Sequence, residues 1–162
     1  MDFSSSILIL AFRDLIIAVI LGALIGLERE IARKEAGVRT FSIISLGAAL
    51  FVMISRLSFS DYLGIANYDP SRVLGQIIVG MGFLGAGIII FEAREGKVKG
   101  LTTAAIMWAT SAIGAAVGLE LYALAGFATA LIVLLNTLIL PLEKKWDEKR
   151  YEKQSEEKTE NK

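Results

Sequence analysis

The sequence contains no cysteine and no histidine, and it has only two prolines. Without cysteine the chain can form no disulfide and has no thiolate for a nucleophile, an iron–sulfur cluster or a zinc site. Without histidine it lacks the commonest general base and the commonest ligand of transition metals. A bound metal would need oxygen ligands, which suit Mg²⁺ or Ca²⁺. These absences argue against an enzyme, and we expect no cofactor and no resident metal.

An excess of charge is also missing, because 17 Lys and Arg balance 17 Asp and Glu. No basic surplus points to nucleic acid as a partner. Hydrophobic residues, in contrast, make up 54% of the chain, against about 45–50% in soluble domains. This composition favours a membrane protein.

Five hydrophobic stretches approach the length of about 20 residues that a membrane-spanning helix needs. Short loops connect them, so each helix is expected to pack against its sequence neighbours. The sequence therefore predicts an all-α integral membrane bundle of about five transmembrane helices, with the lipid bilayer as its surroundings. The predicted spans are Ser6–Leu27, Thr40–Ser55, Val73–Phe91, Leu101–Gly118 and Leu121–Pro141.

The distribution of Lys and Arg predicts the orientation of these helices. With the N-terminus outside and the C-terminus in the cytoplasm, 14 of the 17 basic residues lie inside, as the positive-inside rule requires. Only Arg13, Arg56 and Arg72 remain outside.

The first predicted span carries two charges, Arg13 and Asp14, within its hydrophobic run. Only 13 residues separate these charges from Glu28, a helical length of about 20 Å against a hydrocarbon core of about 30 Å. Intramembrane charges are costly and point to function. The alternative is an interfacial helix before a short span that thins the bilayer.

Charged residues gather where the first span ends and the second begins. Glu28 and Arg39 are predicted to join one cluster at the inner membrane face, either as an ion pair that locks two helix ends or as a transport or ligand site. Glu30 and Lys34 are four residues apart and can pair on a helix, and Gly37 predicts the helix stop.

Glycine is concentrated in the third span, and GxxxG spacings occur in the first and fourth. In a membrane, glycine allows helix backbones to approach closely. The alternative is a broken or moving helix that presents carbonyls to a ligand. The predicted packing residues are Gly22, Gly26, Gly80, Gly82, Gly85, Gly87, Gly114 and Gly118.

The third span opens with Asp69 followed by Pro70, an ordinary start for a helix. Arg72 and Gln76 lie four residues apart and are expected to share an inward face. Together with the inner cluster and the polar start of the fourth span, they complete the candidate polar or ligand-binding residues: Glu28, Arg29, Arg39, Thr40, Asp69, Arg72, Gln76, Thr102, Thr103 and Trp108.

In these stretches the chain resembles the MgtC/SapB family of bacterial and archaeal membrane proteins. The matching segments arrive in the family's order and cover about residues 10 to 142. They are 22–30 (GALIGLERE), 36–40 (AGVRT), 69–72 (DPSR), 80–87 (GMGFLGAG), and 100–105 (GLTTAA) with Trp108.

The resemblance implies a multi-span inner-membrane protein with no known catalytic activity. Similar proteins are linked to growth at low magnesium, to survival inside host cells and to restraint of the proton-driven ATP synthase. Many have a soluble C-terminal domain, where this chain has a charged tail. We therefore expect a transmembrane domain over residues 1–142 and a cytoplasmic tail over 143–162 that is a helical extension or disordered.

Two functions remain open from the sequence. The first is a non-enzymatic membrane regulator that acts through helix contacts, with itself as a homo-oligomer (a dimer is favoured) or with a larger complex such as ATP synthase. The second is a small cation or solute transporter that acts as an oligomer.

Overall fold

Five α-helices make up most of the computed structural model, which describes residues 5–58, 69, 71–92 and 97–138. They are α1 (Ser5–Ile31), α2 (Val38–Ser58), α3 (Ser71–Ile88), α4 (Leu101–Gly118) and α5 (Tyr122–Leu138). The first four are long and apolar enough to cross a membrane. The all-helical membrane bundle is therefore confirmed. The orientation of its termini stays a prediction, and the charged tail lies outside the described residues.

The centre of the bundle is α2, which packs against α1 on one side and α4 on the other. The fully buried side chains at this centre include Ala18, Phe41, Ala49 and Val117. Helix α3 packs on α4 and is the most exposed of the four long helices. Its large apolar side chains face outward, with Phe83 81% exposed, as expected for a surface that contacts lipid.

Helix α1 is continuous from Ser5 to Ile31, so no break separates an interfacial segment from a shorter span. Its C-terminus is also not where Gly37 predicted it. The Arg33 N–H bonds to the Glu30 carbonyl and the Lys34 N–H to the Arg29 carbonyl, both at 3.0 Å, with Arg33 at φ 53°. This is a Schellman motif, with arginine at the left-handed position that glycine usually occupies.

The third helix ends at Ile88, and not at Phe91 as its hydrophobic run predicted. Ile90–Glu92 and Lys97–Lys99 instead form an antiparallel pair of strands, in which Phe91 lies opposite Val98. β-Branched and aromatic residues favour this extended conformation. The pair leads to Gly100, whose φ of 87° and whose close contact with the Ile88 carbonyl leave no space for a side chain.

Candidate functional site

Among the described residues, buried charge occurs in two clusters, one toward each end of α1. The first is centred on Arg29, whose side chain is 1% exposed. Its Nε and Nη2 donate to the two carboxylate oxygens of the neighbouring Glu28. This charge-assisted pairing compensates for the burial of the guanidinium.

The predicted Glu28–Arg39 pair does not form. Arg39 is exposed, and the salt bridge of Glu28 is with Arg29. Two other acids connect elements at this end of the bundle. The Val38 N–H at the start of α2 donates to Glu30 Oε2 at 3.1 Å, and the hydroxyl of Thr103 on α4 donates to Glu35 Oε2 at 3.2 Å. The Glu30 carboxylate therefore bonds to the start of α2. The predicted pairing of Glu30 with Lys34 requires both residues on one helix, and α1 ends at Ile31.

The second cluster surrounds Asp14, whose side chain is 1% exposed. Its Oδ1 accepts hydrogen bonds from Arg13 Nη2 at 2.9 Å, Arg13 Nε at 3.0 Å and the Tyr122 hydroxyl at 2.9 Å. The Arg13 guanidinium also lies 5.1 Å from the centroid of the Tyr122 ring, a cation–π distance. Asp14 Oδ2 is buried and has no hydrogen-bond partner among the described residues.

A more exposed ion pair joins the helix ends next to this cluster. Arg56, near the end of α2, lies 2.8 Å from Glu120, and their side chains are 36% and 46% exposed. Glu120 occupies a left-handed turn at φ 62° between α4 and α5. The Glu120 N–H bonds to the Val117 carbonyl and the Leu121 N–H to the Ala116 carbonyl, which repeats the arrangement at the end of α1.

Close backbone contacts lie along α1, α2 and α4 between these two clusters. A Cβ on Gly22 would lie 2.5 Å from the Phe41 carbonyl oxygen, and a Cβ on Gly114 would overlap the carbonyl oxygen of Ser45. Gly26 and Gly118 likewise face α2. On α1 the two clusters are 14 residues apart, or about 21 Å of helix. Backbone contact therefore fills much of the distance between them.

The glycines of α3 have different surroundings. A Cβ on Gly85 would make ordinary contact with Ala104, 3.6 Å away. The other α3 glycines face open space in the part of the chain that the structure describes: Gly75, Gly80, Gly82 and Gly87.

The predicted polar residues at the start of α3 do not form an inward cluster. Asp69 Oδ1 accepts hydrogen bonds from the Ser71 hydroxyl at 2.6 Å and the Ser71 N–H at 2.9 Å. These bonds, led by the hydroxyl, lower the pKa of Asp69 from its ordinary value. Arg72 and Gln76 are exposed and line an apolar crevice of about 660 Å³ between α2 and α3.

The remaining candidates are dispersed. Thr102 and Trp108 are exposed on α4, and Thr40 is half-buried near the start of α2. Among the described residues, no group of three or more acidic side chains lies close enough to hold a metal ion.

Sequence reasoning missed Tyr122 altogether. This tyrosine is 108 residues from the carboxylate that it contacts. An aromatic residue at the start of a span is ordinary in membrane proteins, so no local pattern marks it as the partner of a buried acid.

The fold and the two charged clusters define a multi-pass helical membrane protein. The chain belongs to the MgtC family, whose profile matches residues 15–145. No solved structure matches the chain.

Three curated relatives illustrate the similarity. The "Putative magnesium transporter YhiD" of Escherichia coli K12 is 41% identical over 122 residues, which are 74% of this chain and 56% of the relative. "Protein MgtC" of Brucella abortus is 44% identical over 125 residues, 77% of this chain and 49% of the relative. "Protein SrpB" of Synechococcus elongatus is 41% identical over 131 residues, 77% of this chain and 71% of the relative. The chain thus spans about half the length of YhiD and of the Brucella protein.

Proposed function

We propose that this chain is a non-enzymatic regulator in the inner cell membrane, linked to magnesium limitation or to control of ATP synthase, and that it works through helix–helix contacts. Family membership supports the membrane role. The name of the relative YhiD, a "Putative magnesium transporter", supports the link with magnesium, and the ATP synthase link rests on the family resemblance. The absence of Cys and His supports a function without catalysis.

The observation that carries this proposal is the open glycine face of α3. Inside the bundle, Gly22 and Gly114 already touch α2. Gly75 and Gly82 lie seven residues apart, on one face of α3. They have the same capacity for close approach, yet a Cβ on either would meet nothing. A helix that displays its backbone in this way is suited to pack against a helix from another chain.

The partner helix comes from a second copy of the chain, with a dimer favoured, or from a larger complex such as ATP synthase. Because the sequence contains no cysteine, single-cysteine variants can distinguish these partners without background. Val79 is 68% exposed on α3, and Leu124 is 58% exposed on α5. If α3 faces another copy, oxidation in native membranes crosslinks Val79→Cys into a dimer, and the matched control Leu124→Cys stays monomeric.

The regulatory effect is tested by proton-driven ATP synthesis in inverted membrane vesicles at low magnesium. We expect the wild-type chain to lower the rate, and Gly82→Leu to remove this effect by blocking the open face. Ala123→Leu, an equally bulky change at an exposed position of α5, should behave as wild type. Equal rates with and without the wild-type chain would contradict control of ATP synthase.

The second candidate function is a cation or solute transporter that acts as an oligomer. It is favoured by the two charged clusters at separate levels of α1 and by the unpartnered Asp14 Oδ2. Because backbone contacts at Gly22 and Gly114 fill the middle of the bundle, we place a pathway between copies. Reconstituted vesicles should then show Mg²⁺ flux that falls in Glu28→Ala and in Arg72→Ala. Flux no greater than in empty vesicles would reject this function.

A further inference from the structure

A long crevice separates α1 from α5 at the end of the bundle where α1 terminates. Its volume is about 1240 Å³, larger than the roughly 300–1,000 Å³ of ordinary small-molecule pockets. Apolar side chains line most of its length, including Leu24, Leu27, Val133 and Leu134. Leu24, Leu27 and Leu134 are each about half exposed. We call this feature the α1–α5 crevice; it offers an apolar groove at membrane depth.

The mouth of the α1–α5 crevice is basic. Arg33 and Lys34 line it, together with Glu28. The carboxylate of Glu28 is already neutralised by its salt bridge to Arg29. Arg33 and Lys34 are exposed, and neither forms a salt bridge with an acid in the described part of the chain. Within the described residues, two positive charges without a salt bridge therefore lie at the polar end of an apolar groove.

The backbone hydrogen bonds at Arg33 leave its side chain available to the crevice. Arg33 has a φ of 53° in a turn position where glycine is favoured and a side chain brings strain. The Schellman hydrogen bonds of this turn use only backbone atoms, so the cap itself needs no arginine. The arginine side chain is therefore not used by the cap, and it lies at the crevice mouth.

We propose that the α1–α5 crevice binds an anionic phospholipid, with an acyl chain against the leucines and the phosphate between Arg33 and Lys34. Arginine presents a planar set of donors that matches phosphate oxygens, and lysine adds a point charge. Basic pockets between transmembrane helices recognise anionic head groups in this way. The site does not depend on the regulatory role, because it lies on α1 and α5, away from the open face of α3.

The test uses the full chain in detergent with equal amounts of phosphatidylglycerol and phosphatidylcholine, and native mass spectrometry counts the retained lipids. The wild-type chain should prefer phosphatidylglycerol. Each basic side chain removed should reduce this preference about fivefold, so Arg33→Gly combined with Lys34→Gln should nearly abolish it. Arg39→Gln, which removes an exposed charge at the neighbouring start of α2, is the matched control and should keep the preference.

Two further variants separate lipid binding from folding. Arg33→Gly suits the left-handed turn, so its unfolding temperature should equal or exceed that of wild type while the preference falls. Arg33→Lys should keep most of the preference. Gly126→Leu places a side chain in the α1–α5 crevice, where a Cβ meets no atom within 4 Å, and it should reduce retention of both lipids.

Several outcomes would overturn the proposal. One is an unchanged phosphatidylglycerol preference in the double variant, and another is an equal loss in Arg39→Gln, which would indicate general surface attraction. Unchanged lipid retention in Gly126→Leu would place the acyl chain elsewhere. Displacement of the lipid by excess inorganic phosphate would identify a simple anion site. Folding of the variants is checked by thermal unfolding, and if Arg33→Gly does not fold, Arg33→Gln and Gly126→Leu decide the question.

Discussion

The hydroxyl of Tyr122 lies 2.9 Å from the buried carboxylate of Asp14 and donates a hydrogen bond to it. This contact joins the start of α5 to α1. Arg13 completes the arrangement by donating to the same carboxylate oxygen and lying over the tyrosine ring. Asp14, a costly charge within the first predicted span, therefore forms a contact between α1 and α5.

Tyr122→Phe should lower the free energy of unfolding by about 0.6–1.5 kcal/mol, because it leaves the ring in place and removes the hydroxyl, which donates to Asp14 and accepts from Arg13. Thermal or denaturant unfolding in detergent measures the change. A double-mutant cycle with Asp14→Asn should give a positive coupling energy. Thr137→Val on α5 removes a hydroxyl that bonds only to the Val133 carbonyl of its own helix and should show no coupling with Asp14→Asn.

Gly114→Ala should destabilise the bundle by about 1–3 kcal/mol, the usual penalty of overpacking. The added methyl would overlap the Ser45 carbonyl oxygen, a backbone atom that cannot turn away. Gly75→Ala on α3 is the control, since its methyl meets open space, and it should leave the unfolding temperature unchanged or slightly higher. Equal unfolding temperatures for the two variants would contradict close packing of α4 on α2.

Glu28→Gln should cost about 3–5 kcal/mol, because it leaves the buried charge of Arg29 without a counter-charge. The matched change Glu120→Gln breaks the more exposed pair with Arg56 and should cost less than about 1 kcal/mol. The difference between the two unfolding free energies tests whether Arg29 is as buried as described. A Glu28→Gln chain as stable as wild type would show that water reaches Arg29.

Asp69 should remain ionised at lower pH than an ordinary aspartate. Its folded-state pKa is lowered, first by the Ser71 hydroxyl and then by the Ser71 N–H. The stabilisation is therefore fully present above the ordinary aspartate pKa and is lost as the pH falls through the lowered value. Carboxyl ¹³C NMR titration in micelles measures this pKa, and Ser71→Ala should raise it toward the ordinary value. An unchanged pKa in Ser71→Ala would contradict the role of the hydroxyl.

The existence of the helices was predictable, because each is a run of apolar residues near the length of a membrane span. The residues at which the helices end were harder to predict. The run through Ile90 and Phe91 reads as helix from hydrophobicity alone, and the paired strands depend on residues from both sides of the turn. At the end of α1, the glycine at position 37 predicted the helix C-terminus, whereas the residue with the left-handed conformation is Arg33.

Contacts between helices were the least predictable. Several basic residues lie near Glu28 in the sequence, and sequence alone does not show which of them pairs with it. In the structure the partner is Arg29, whose buried guanidinium needs a counter-charge. Likewise, the spacing of Gly22 and Gly26 indicated a packing face without identifying α2 as its partner. Sequence could not separate these enclosed glycines from the open ones of α3, since the distinction depends on which surfaces remain after the bundle has assembled.

The contact between Asp14 and Tyr122 also has a consequence for biogenesis. A ribosome makes Asp14 in the first helix and supplies Tyr122 only 108 residues later, after four helices have been synthesised. Until then the carboxylate has Arg13 as its neighbouring counter-charge and lacks its contact with the fifth helix. Arrival of α5 is therefore the step that completes the surroundings of Asp14, and a chain interrupted before Tyr122 would present an incompletely bonded acid to the insertion machinery and to membrane proteases.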